Sequence, residues 1–177
     1  MKNAVIGIAS TYDQAERIVS GLKAQGFVLG DVSVLFPDEK GTREFAHEKG
    51  TKAPEGAIAG VGAGGTVGGA IGLLAGIGAL AIPGLGPFIA AGPIMAALSG
   101  AAAGAAVGGV VGALVGLGIP EYQAKVYEGR LRDGNILIAV HTEDGDEKDR
   151  AKDVFERMGA HDVTSTGEAS APKRKAS

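Results

Sequence analysis

The residues best suited to chemistry are few in this 177-residue chain. His47, His141 and His161 are the only histidines, and none stands three or four positions from another, the spacing that puts two ligands on one helical face. Cysteine is absent, which removes thiolate nucleophiles, thiolate metal sites and disulfides together. Glu143, Asp144, Asp146 and Glu147 form an acidic cluster, but they lack the calcium-loop pattern and stand where a helix begins, so they read as charges that complement its dipole. His141 closes a run of strand character and can approach His161 in a folded sheet; a surface or capping role is the ordinary alternative.

Glycine is the other residue that invites a functional reading, at 31 copies. A phosphate cradle needs G-x-G-x-x-G, or a glycine loop ending in Gly-Lys-Ser/Thr, directly after a strand. The glycine-rich segment has no loop ending in Gly-Lys-Ser/Thr, and its G-x-G-x-x-G match, GVGAGG at 60–65, follows no predicted strand and belongs to a glycine series with a period of four. The sequence therefore predicts no catalytic residue, no cofactor-binding residue and no metal ligand. A net charge of −3 and 5% aromatic residues offer neither a basic field nor stacking platforms, so no nucleic-acid partner is expected.

The elements that would position any site fall into three zones. From Gly56 to Pro120 there is no Asp, Glu, Lys, Arg or His, whereas both flanks are densely charged. Residues 1–55 and 121–168 read as one discontinuous αβ domain, 56–120 as a hydrophobic insert, and 169–177 as a disordered basic tail. In the first flank NAVIGIA predicts a strand. Ser10 and Asp13, at capping-box spacing, open a helix that buries Ala15, Ile18, Val19 and Leu22 and ends at Gly26. DVSVLF predicts a second strand, and a charged connector with one short helical turn around Phe45 follows it. Beyond Pro120 come a helix to Asp133-Gly134, the strand NILIAVHT, a helix with Ala151, Val154, Phe155 and Met158 on one face, and the strand HDVTS. The order predicts an α+β fold, a ferredoxin-like split βαβ sandwich (βαβ–αβαβ) with its helices on one face, interrupted by the insert.

The insert places glycine at Gly60, Gly64, Gly68, Gly72 and Gly76, and again at Gly100, Gly104, Gly108, Gly112 and Gly116. On a helix each series is a bare stripe along which a second backbone can pack closely. Pro83, Pro87 and Pro93 interrupt the two runs and predict the turn of a helical hairpin. At about 1.5 Å per residue, runs 57–82 and 94–119 each reach roughly 39 Å, enough to span a bilayer. The expectation is a transmembrane hairpin in a bacterial inner membrane, with both termini cytoplasmic because Lys40, Arg43, Lys49, Lys52, Lys125, Arg130 and Arg132 flank it. The same basic residues suit anionic headgroups or a plain solvated surface, and Tyr122 suits an interfacial position or, more commonly for such residues, packing of the helix on the sheet. The alternatives are a cytoplasmic assembly in which the hairpin packs inside a homo-oligomer, and a flexible linker, which would be richer in polar residues.

Taken together, FAHEKGTKAPEG, GIGALAIPGLGPFIAAGPIMAAL and GIPEYQAKVYEGRLRDGNILIAVHTED resemble the bacterial general-stress or heat-induced stress proteins of the 17M-like type, including those called low-temperature-induced. The resemblance runs from the first strand to about Glu168. It implies a stress-related, non-enzymatic role for a ferredoxin-like domain around a glycine-zipper hairpin, and no reaction. The expected partners are thus a second copy of the chain and a lipid bilayer. The competing readings are a ligand-sensing ferredoxin-like domain on a membrane anchor, its small-molecule ligand unknown, and a pore; Thr66 and Ser99 are the insert's only polar side chains, which argues against a charge-selective pore.

Overall fold

The computed structural model describes residues 3–38, 71, 78–82, 85–93, 109–116 and 118–166. Its architecture is α+β. Strands β1 (Asn3–Ala9), β2 (Val32–Pro37), β3 (Gly78–Ile82), β4 (Gly86–Ala91), β5 (Ile136–Thr142) and β6 (His161–Thr166) form one sheet in the order β3-β4-β2-β5-β1-β6, every neighbouring pair antiparallel. Four helices are described: α1 (Tyr12–Ala24), α2 (Gly109–Gly116), α3 (Glu121–Arg132) and α4 (Gly145–Arg157).

Alternation along the strands divides the core between two faces. In β5, Ile136, Ile138 and Val140 point to one side and Leu137 and Ala139 to the other, all buried. The first side is covered by α1, through Ala15, Ile18, Val19 and Leu22, and by α4, through Ala151, Val154 and Phe155. The second is covered by α2, through Val110, Ala113 and Leu114, and by α3, through Ala124, Tyr127 and Leu131. Helices therefore lie on both faces of the sheet, not on one.

Local chemistry fixes the helix ends. Thr11, one residue beyond the expected Ser10, is the N-cap of α1: its Oγ1 accepts from the Gln14 N–H at 3.2 Å, while Gln14 Oε1 accepts from the Ser10 N–H at 2.8 Å. Asp144 does the same for α4, and Glu147 Oε2 accepts from the Glu143 N–H, so the acidic cluster is a cap. All four helices close with the same pair of backbone hydrogen bonds around a left-handed glycine: Gly26, Gly118, Gly134 and Gly159.

The neutral insert departs most from expectation. Where the first run was expected to be helical up to Ile82, Gly78–Ile82 is β3, paired with β4 in a hairpin closed by a bond from the Leu85 N–H to the Ile82 carbonyl at 3.0 Å. The helical-hairpin turn is thereby corrected at Pro87, which lies inside β4 opposite Ala81; Pro93 follows that strand, and Pro83 is outside the described residues. β4 in turn pairs with β2, which makes the sheet six strands wide instead of four. Gly92 permits this join. With φ +79, it lies so close to β2 that a Cβ there would run into the Val32 carbonyl oxygen.

The transmembrane expectation is corrected too: among the described residues no helix is long and apolar enough to cross a membrane. The described helix of the second run, α2, ends at Gly116 with the Ile119 N–H bonded to the Leu114 carbonyl. Eight residues of helix reach only about 12 Å. Ile71, between two stripe glycines, is fully buried against the α1 side of the sheet. An inner-membrane location is thus contradicted. The charged connector with its short turn around Phe45 and the basic tail lie outside the described residues.

Candidate binding surfaces

Tyr127 lies on the buried side of α3, and its hydroxyl donates to the Asp162 carbonyl at 2.7 Å. One turn earlier, Gln123 Nε2 donates to Thr164 Oγ1 at 2.7 Å, and one turn later Arg130 Nε meets Asp162 Oδ2 at 2.8 Å. Residues 123, 127 and 130 share a helical flank, which is why one side of α3 reaches β6 three times. Asp162 supports the contact by adopting φ +52, the only positive φ outside glycine among the described residues, where the β1–β6 register slips.

Above this join lies a groove of about 270 Å³ lined by Tyr122, Gln123, Val126, Tyr127 and residues 162–164. Tyr122 is 69% and Val126 44% exposed, so its outer wall is apolar and open to solvent. Burial pushes the Tyr127 phenol up to about 12; the Asp162 carboxylate adds to the shift, and the hydrogen bond with Thr164 opposes it. The groove's Gln123 and Thr164 side chains are engaged with each other, and its Tyr127 hydroxyl with the Asp162 carbonyl. It therefore offers a surface for binding and, among the described residues, no nucleophile held by a base.

The other residues singled out by sequence scatter. His141 sits across from Ala4 and His161 across from Ile8, on opposite sides of β1 and about 13 Å apart along the strands, so they do not meet. His47 is outside the described residues. Among the described residues no group of three His, Cys, Asp or Glu is placed to hold a metal. The α3 bases answer carboxylates: Lys125 to Glu121 at 2.7 Å, Arg132 to Glu128 at 3.2 Å, and Arg130 to Asp162. Tyr122 neither packs into the core nor lies on a membrane-crossing helix of the described residues; it is exposed and forms the groove wall. Lys40, Arg43, Lys49 and Lys52 are not among the described residues.

Of the predicted packing glycines, Gly60, Gly64, Gly68, Gly72, Gly76, Gly100, Gly104 and Gly108 lie outside the described residues. Gly112 and Gly116 are on α2, and both are exposed. That helix, GVVGALVG, has no polar side chain: Val110, Ala113 and Leu114 are buried on the sheet, while Gly112, Val115 and Gly116 face outward, Val115 being 43% exposed. A second apolar surface thus stands on the same side of the sheet as the groove. Where a glycine does let two described helices approach, it is Gly21 on α1, whose Cβ would stand 2.9 Å from Val154 Cγ1 on α4.

The groove was not legible in the sequence. Tyr122 and Val126 signal it, since they are apolar and four apart yet fall off the buried face of α3. Asp162 gave no signal, because its conformation is set by the bulge. The chain matches no known family model, no curated protein and no solved structure.

Proposed function

We propose that this chain is a non-enzymatic protein of the bacterial stress response that self-associates, with the outward face of α2 as a contact between copies. The observation that carries the assembly reading is the exposure of Gly112, Val115 and Gly116 on a helix without a polar group. A helix meant only for water would put charge there. Glycine at both positions would let a second helix come within close van der Waals range. The stress-response part rests on the sequence resemblance.

The flanking elements are best read as a ferredoxin-like unit. β2-β5-β1-β6, with a helix after β1 and another after β5, is the order a split βαβ pair produces, and β3 and β4 extend it at the β2 edge.

The test is the mass of the full-length chain in solution over a hundredfold range of concentration. Association that is lost in Gly112→Lys/Gly116→Lys, with thermal stability kept, supports the reading. A parent chain that is monomeric throughout overturns it. The groove favours a second reading, a small-molecule sensor; specific thermal stabilisation by a metabolite, abolished by Val126→Asp, would support that instead.

A further inference from the structure

We propose that the outer edge of β6 is a seam between two copies of the chain, joined across a two-fold axis so that one sheet continues into the other and Tyr122 and Val126 of each α3 cover the join. The proposal takes from the preceding reading only that the chain self-associates, and it places that association on a different surface.

β6 is last in the sheet of described strands, with β1 on one side and, among the described residues, no strand on the other. An edge strand presents unpaired N–H and C=O groups to any strand that approaches, and proteins that keep an edge single blunt it with lysine, proline or a bulge. Here the blunting is confined to one end. Asp162 turns out of the strand, and its carbonyl is taken by Tyr127. From Val163 to Thr166 the strand reads Val-Thr-Ser-Thr, with no charge and no proline, and from Thr164 on its register against β1 is continuous.

The occupant is set by symmetry. An antiparallel pair of identical strands is self-complementary in its hydrogen bonds. With the axis at Thr164, Val163 falls across from the position of Ser165, and Asp162 has already turned out of the strand, so no like charges oppose. The same axis, normal to the sheet, keeps α3 of both copies on one face. It brings the two groove walls toward each other above the seam, where Tyr122 and Val126 would lose the water that now reaches them. A foreign extended peptide would satisfy the backbone edge but supplies no matching wall.

The experiment is amide hydrogen exchange on the full-length chain, comparing a dilute sample with one at least a hundredfold more concentrated. Amides of residues 163–166 that exchange freely when dilute should slow by tenfold or more as the mass doubles. The change should vanish in Tyr122→Lys/Val126→Lys, whose substitutions fall on exposed positions. Protection that survives Gly112→Lys/Gly116→Lys supports the seam whatever becomes of the α2 contact. A chain that associates while these amides exchange freely overturns the seam and leaves the α2 reading standing, and a chain monomeric at every concentration overturns both.

Discussion

Glu16 on α1 accepts a hydrogen bond from the backbone N–H of Ile71 at 3.3 Å, across 55 residues of sequence. The same carboxylate oxygen accepts from the Tyr12 hydroxyl at 3.0 Å. A point of the neutral insert is thereby fastened to the first helix through one acidic side chain. Glu16→Ala should destabilise the fold by about 1 kcal/mol and speed exchange of the Ile71 amide, whereas Glu16→Gln, which keeps an acceptor, should do less of both. Equal exchange in the two variants would show that the contact holds nothing.

Gly7, in the middle of β1, lies under the ring of Phe155: a Cβ there would stand 2.6 Å from Phe155 Cδ1. Gly7→Ala should lower stability by about 1–3 kcal/mol in urea unfolding, because α4 must lift or the ring must leave its rotamer. Phe155→Leu is itself costly, yet in the double variant the two losses should add to less than their sum, the sign of a shared clash.

Gly92→Ala combines a positive φ with a collision against the Val32 carbonyl. A loss of more than about 2 kcal/mol is expected, felt first at the β2–β4 join. Amides of Phe88–Ala91 should lose protection before those of β1 and β5; uniform loss would mean that the six strands melt as one unit.

Tyr12 and Tyr127 make stability fall in alkali. Burial raises both phenols above the ordinary value, with the Glu16 hydrogen bond adding to the shift at Tyr12, so the folded state holds these protons more tightly than the unfolded chain does. Their contribution is intact below pH about 10 and is lost as pH rises toward 12 and beyond. Tyr127→Phe should flatten the pH dependence of the urea midpoint between about pH 10 and 12, at a cost near 1 kcal/mol at neutral pH from the missing bond to Asp162. An unchanged slope would place the titration elsewhere.

The flanking elements were legible because each carries its own local signal. NAVIGIA is β1 as read, and the strands at 135–142 and 161–165 match β5 and β6 to within a residue. Gly26, Gly134 and Gly159 end their helices as their positions announced. The insert misled because a strand buried on both faces does not alternate. In GPFIAA, Phe88 and Ala90 point to one core and Ile89 and Ala91 to the other, so the segment is apolar throughout, as a membrane helix would be. Periodic glycine favoured the helix, and the Pro83-Gly84 pair, a turn signal between two short apolar runs, was read as a helix break when it stands between β3 and β4. The groove needed tertiary information: only the folded sheet shows that α3 leans on its last strand.

The place of β1 in the sheet has a consequence for biogenesis. Its neighbours on both sides, β5 and β6, are encoded more than 120 residues later, so β1 must wait, without either partner, until residue 142 has emerged. At about 5–20 residues per second that is an interval of many seconds, during which the uncharged middle of the chain also lies outside the tunnel without its sheet. Nascent chains of this protein should therefore be strong clients of ribosome-bound chaperones, and a circular permutant beginning at Asn135 should be less so.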